Sequence, residues 1–131
     1  MSVLNKPEFA ALSSRRRTIP PGEFVFVEGQ HGDAVFVVLS GEAEVTLTDF
    51  AGKQVVIRRL KPGEIFGELE LLGPDSRRTG SVSSEGGCEL IVIDRADVEK
   101  YLEETPPFLR YMIAHLCGII KGWTDQARRP L

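Results

Sequence analysis

AEVTLTDFAGKQVVIRRL, residues 43–60, decides the fold. From Ala43 to Thr48 apolar and polar residues alternate, as they do in a strand with one dry and one wet face. DFAGKQ is a hairpin tip, with Gly52 supplying the positive φ of a tight turn. QVVIRRL then reads as the returning strand. The same pattern extends outward. Gly22, Gly32, Gly41, Gly52 and Gly63 recur about every ten residues, with EFVFVE (23–28) and AVFVVLS (34–40) between them. CELIVID closes the set as a last strand ending at Ile93. Short strands at this spacing predict a sandwich, jelly roll or barrel. The expected fold is mainly β with flanking helices: a jelly-roll-like β-roll, or double-stranded β-helix, over about residues 18–93.

Helices are expected at both ends. KPEFAALSS (6–14) suits a short one, with Pro7 in its first turn. Asp94 suits the N-cap of RADVEKYLEE, Pro106 and Pro107 break the chain, and a last helix runs from near Phe108 to about Arg128. This C-terminal helix pair occupies about 94–128, and the whole of 1–131 reads as one domain without internal repeats. In the last helix Leu109, Met112, Leu116, Ile119 and Trp123 step by 3, 4, 3 and 4, which is a heptad seam. Ala114, Gly118 and Gly122 form a row of small residues. The seam fits a parallel homodimer; the alternative is a helix lying on its own β-domain.

Composition excludes several functions. The chain has 131 residues, 42% hydrophobic and 27% charged, with a net charge of −3. That is globular material without a broadly nucleic-acid-binding surface. Arg15-Arg16-Arg17 reads as a solvated segment ahead of the first strand. Cys88 and Cys117 form no CxxC, so two buried, reduced thiols and a cytoplasmic location are expected. The N-terminus lacks the apolar core of a signal peptide, and no apolar stretch is long enough for a membrane span. His31 and His115 are the only histidines, too few for the metal of a small-barrel enzyme. No phosphate loop, dinucleotide fingerprint or serine–histidine pairing is present, so neither catalysis nor a cofactor is expected.

FGELELLGPDSRRTGSV (66–82) carries the chemistry. Gly67 lets a ligand approach the backbone, and ELELL is long enough for one or two helical turns. A helix opening there directs free N–H groups toward an anion. Arg78 can fork onto phosphate oxygens, with the Thr79 hydroxyl beside it. Glu68 suits a sugar hydroxyl. Gly67, Glu68, Arg78 and Thr79 together fit a cyclic ribose phosphate.

This stretch resembles the phosphate-binding cassette of cyclic-nucleotide-binding domains, the module of catabolite-activator-like regulators and of cyclic-nucleotide-regulated kinases and channels. PPGEFVFVEGQHGDAVFVVLSGEAEV resembles the first half of such a domain, LKPGEIFGELELL the cassette entry, RTGSV its exit, and DVEKYLEETPPFLRYMIAHL the helix pair. The likeness covers about residues 8–126. It implies that Gly67 and Glu68 meet the ribose, Glu68 taking the 2′-OH. It implies that Arg78 pairs with the cyclic phosphate beside Thr79, and that Leu69 and Leu71 face the core. Thr124 falls where a C-terminal-helix hydroxyl reaches the base, and Trp123 is an alternative cap by stacking. The implied ligand is a 3′,5′-cyclic nucleotide, cAMP before cGMP, sensed by a non-enzymatic regulator that acts on an unidentified downstream protein. Glu70 departs from the pattern, which has a small residue there. A second carboxylate either repels the anion or points to solvent, with Arg77 as a compensating cation. For Arg78 the plainer alternative is a surface ion pair with Glu68 or Asp75. The chain stops at Leu131 without a helix-turn-helix domain, so direct DNA binding is not expected, and a stand-alone sensor or one piece of a longer protein fits. A ligand-free dimerisation module and a c-di-GMP sensor are the other readings.

Overall fold

The computed structural model describes residues 15–127; the helix expected over 6–14 lies outside them. The strands are β1 (Arg16–Ile19), β2 (Glu23–Phe26), β3 (Ala34–Gly41), β4 (Ala43–Thr48), β5 (Gln54–Leu60), β6 (Ile65–Phe66), β7 (Ser81–Ser84) and β8 (Cys88–Asp94). A short helix, α1 (Leu69–Leu72), separates β6 from β7. Helices α2 (Arg95–Glu103) and α3 (Pro107–Gln126) follow β8. The strands form two four-stranded sheets, in the orders β1-β8-β3-β6 and β2-β7-β4-β5. Every pairing is antiparallel. First pairs with last, second with next to last, and so inward, which is the jelly roll the glycine spacing predicts.

The core explains which runs alternate and which do not. Ala34, Phe36 and Val38 of β3 point between the sheets, toward Leu90, Val92, Ala43, Leu60 and Val82. Val35 and Val37 point the other way and pack with Ile91, Ile93, Leu71 of α1 and Val98 of α2. Strand β3 is dry on both faces, so its sequence is a continuous apolar run. Strand β4 lies in the sheet without that helical cover and alternates. At the β4–β5 tip, Gly52 takes φ 83° and the Asp49 carboxylate accepts from the amides of Ala51 and Lys53 at 2.9 and 2.8 Å.

One expectation needs correction. Arg16 and Arg17 belong to β1 and are not a segment ahead of the first strand; Arg17 donates to the Val25 carbonyl at 3.2 Å. Helix α3 begins at Pro107, beside the expected start near Phe108, and the missing N–H of Pro107 is harmless in a first turn. Asp94 does cap α2, accepting from the Asp97 amide at 3.0 Å. Helix α3 lies against α1 and the segment after it: Cys117 Cβ is 3.2 Å from where a Cβ on Gly73 would stand, and Lys121 reaches the carbonyls of Asp75 and Arg77. The heptad seam faces away from this contact: Leu109, Met112, Leu116, Ile119 and Trp123 are between 38% and 65% exposed. Cys88 and Cys117 are free and buried. Among the described residues no helix is long and apolar enough to cross a membrane.

Candidate functional site

A cavity of about 360 Å³ opens between the second sheet, α1 and α3. Gly67, Glu68, Leu69, Thr79 and Thr124 all line it. Gly67 follows β6 at φ 84°, and a Cβ there would stand 2.9 Å from Arg78 Nη1. Glycine therefore serves both the turn and the close approach of that arginine. Glu68 follows at the mouth of α1. Burial, and secondly the charge of Glu70, raise its pKa above the ordinary carboxylate value. Leu69 is half-buried on the wall, while Leu71 packs under α1 in the core, as expected. From α3, Thr124 reaches the cavity together with Ile120, whose carbonyl accepts the Thr124 hydroxyl at 3.0 Å.

Arg78 sits behind the wall. Its side chain is 2% exposed. Nη1 donates to the Gly67 carbonyl at 2.8 Å and to Glu70 Oε1 at 2.9 Å, and Nη2 donates to the Ala34 carbonyl at 2.7 Å. The guanidinium stacks on Phe26, 4.0 Å from the ring centroid. This overturns two expectations. The ion pair of Arg78 is buried and made with Glu70, not a surface contact to Glu68 or Asp75. Glu70 is buried as well, so it does not point to solvent. The cause is local: Glu70 lies two residues past Glu68 in the first turn of α1, on a different side of the helix, and there it is turned inward, where a carboxylate must find a cation. Trp123 is 65% exposed and off the cavity wall, because it shares the outer face of α3 with the seam. Arg77 is exposed.

Sequence reasoning missed Phe26, Ile57, Arg58 and Ile120, which also line the cavity. Ile120 lies one helical turn before Thr124 and was reachable from that spacing. Ile57 and Arg58 were not. Val45 pairs with Arg58 but Thr46 pairs with Val56, so a bulge brings two consecutive β5 residues to the same site. Arg58 also pairs with Glu64 at 3.1 Å. A second hollow of about 380 Å³, lined by Arg15, Arg16, Arg17, Asp33 and Asp94 among others, holds none of the expected site residues. Among the described residues, no group of three or more potential metal ligands is brought together.

The family model for the cyclic nucleotide-binding domain matches residues 16–105. The chain belongs to the cyclic nucleotide-binding domain family. This domain is 32% identical over 101 residues to a cyclic AMP receptor protein of Thermus thermophilus, covering 77% of the chain and 44% of that relative. It is 33% identical over 111 residues to the cyclic nucleotide-gated channel beta-3 of Mus musculus, covering 82% and 16%. The chain thus spans less than half the length of these curated relatives. Among solved structures, the cAMP-bound form of the EAL enzyme Bd1971 superposes with a TM-score of 0.79 over 86% of this chain and 30% of that one, at 20% identity. That likeness concerns the fold. These relatives are a cyclic AMP receptor protein and a cyclic nucleotide-gated channel, and this chain is a cyclic-nucleotide-binding regulatory domain of the same family.

Proposed function

We propose that the chain, as a single domain, is a cytoplasmic, non-enzymatic sensor. It binds a 3′,5′-cyclic nucleotide in the 360 Å³ cavity and signals through α3. One observation carries this reading: Glu68 lines the Gly67 corner of a cavity whose far wall is the C-terminal helix, and Arg78 stands directly behind that corner, bonded to the Gly67 carbonyl. In this reading Glu68 accepts from the ribose 2′-OH, Arg78 turns to the phosphate beside Thr79, and Thr124 contacts the base. The volume falls at the small end of ligand pockets and suits a mononucleotide better than c-di-GMP. The preference for cAMP over cGMP rests on the likeness to the cyclic AMP receptor protein.

Transmission has a physical route. Ile120 and Thr124 face the ligand cavity, and Lys121 of the same turn holds the loop before Arg78. A ligand that orders that corner biases α3 by as much as it prefers one helix position. The exposed seam of α3 then presents that change to a second copy or to another protein.

Titration calorimetry with cAMP and cGMP tests the reading. Heat of binding is expected for wild type, stronger with cAMP. It vanishes for Arg78→Ala and is weakened in Arg78→Lys, which keeps the charge but loses the fork. Circular dichroism checks folding, because removing one partner of a buried pair costs about 3–5 kcal/mol. No heat with either nucleotide at millimolar concentration leaves the chain a ligand-free interaction module.

A further inference from the structure

We propose that Glu70 is a resident competitor for Arg78. Its carboxylate takes the guanidinium that a ligand phosphate needs, so the site loads by exchanging one anion for another. This rests on the cyclic-nucleotide reading of the cavity. Four observations carry it.

First, the pair is complete without a ligand: Arg78 Nη1 meets Glu70 Oε1 at 2.9 Å, with the side chains 2% and 6% exposed. Second, Arg78 is absent from the cavity wall while Glu70 is on it. The charged groups that an incoming phosphate faces there are Glu68, Glu70 and Arg58. Arg58 is already shared with Glu64, so an anion entering the resting cavity meets two carboxylates and no uncommitted cation on the wall. Third, the pair is built in. A Cβ on Gly32 would stand 2.8 Å from Glu70 Cβ and 3.0 Å from Arg78 Cζ, so the bare backbone of Gly32 is what accommodates both side chains. Fourth, Arg78 also donates to the Gly67 and Ala34 carbonyls, partners separate from Glu70. They hold the guanidinium at the corner of the cavity when the carboxylate gives way.

Exchange lowers apparent affinity by the fraction of molecules in which Arg78 is released. It also speeds ligand departure, because Glu70 stands ready to reclaim the arginine. The domain is thereby set to respond to high nucleotide concentration.

The test is titration calorimetry of the full chain with cAMP and cGMP, comparing wild type, Glu70→Gln, Glu70→Ala and Glu70→Ala/Arg78→Ala. Gln keeps the shape and one acceptor for Arg78, so it remains informative should Ala destabilise the fold. The expected order of affinity is Ala, then Gln, then wild type. Wild type is weaker than Ala by at least about tenfold, or about 1.4 kcal/mol. The double variant loses that gain. Wild type binding as tightly as both single variants overturns the competitor role and leaves the nucleotide reading intact. A double variant that keeps the gain also overturns it, because the exchange then does not occur at Arg78. Failure of every protein to bind either nucleotide overturns the nucleotide reading itself, and the competitor role with it.

Discussion

Glu68 is expensive to keep charged. Burial, then the neighbouring Glu70, favour its neutral form in the folded chain. In the pH range above the ordinary carboxylate value, the folded chain holds this proton more tightly than the unfolded chain. Stability from this group therefore falls as pH rises through that range. Glu64 and Asp75 act in the opposite sense. Amide hydrogen bonds at Lys61 and Arg77 come first among the causes that lower their pKa values. Their contribution is present above the ordinary values and is lost as pH falls through the lowered ones. Glu68→Gln should consequently melt higher than wild type at neutral pH, and its stability should fall less between weakly acidic and neutral pH. It should also bind nucleotide more weakly. Melting temperature across pH checks this, and superimposable profiles would refute it. Glu68 on the wall and Arg78 behind it were legible because a carboxylate and a guanidinium flanking Gly67 interrupt an otherwise apolar pattern. The partner of Arg78 was not, since only the turn of α1 decides that Glu70 points inward.

At the scale of elements, α3 is fastened by a lysine. Lys121 is buried, and its Nζ donates to the carbonyls of Asp75 and Arg77 at 2.9 and 3.0 Å, with the Asp75 carboxylate at 3.6 Å. Lys121→Met keeps an apolar stem but removes the donors. It should cost about 1–3 kcal/mol. Amides of residues 74–78 should exchange faster with solvent by hydrogen-exchange measurement, and unchanged exchange there would show that the lysine holds nothing. No pattern in the sequence announced this contact, because a lysine between Gly118 and Trp123 reads as surface. The strands divide in the same way. Strands β3, β4, β5 and β8 were legible from apolar runs and glycine turns. Strands β1 and β7 were not, since RRTI and SVSS look polar. In β7 the serines serve neighbouring backbone: Ser81 accepts from the Glu28 amide and Ser84 donates to the Glu42 carbonyl. Such a strand is written in cross-chain hydrogen bonds that composition does not reveal.

For the whole molecule, the seam of α3 leaves five apolar side chains, Leu109, Met112, Leu116, Ile119 and Trp123, exposed. Leu116, at its middle, is 54% exposed. An exposed seam of this spacing is what a homodimer along α3 would require, while the opposite face of α3 is used within the chain. Sedimentation at micromolar concentration should give a dimer for wild type. Leu116→Glu should sediment as a monomer with unchanged circular dichroism, because like charges then face each other across the seam. A monomeric wild type would leave the seam to a different protein.

The strand order has its own effect on how the molecule comes into being. Strand β8 is one of the two inner strands of its sheet, with Arg16 opposite Ile91 on one side and Val37 opposite Ile91 on the other. On a ribosome, β1 and β3 emerge before the strand that joins them. That sheet gains its centre only after Asp94 has left the exit tunnel. Because ends so far apart must meet before either is rewarded, assembly is a late and comparatively slow event.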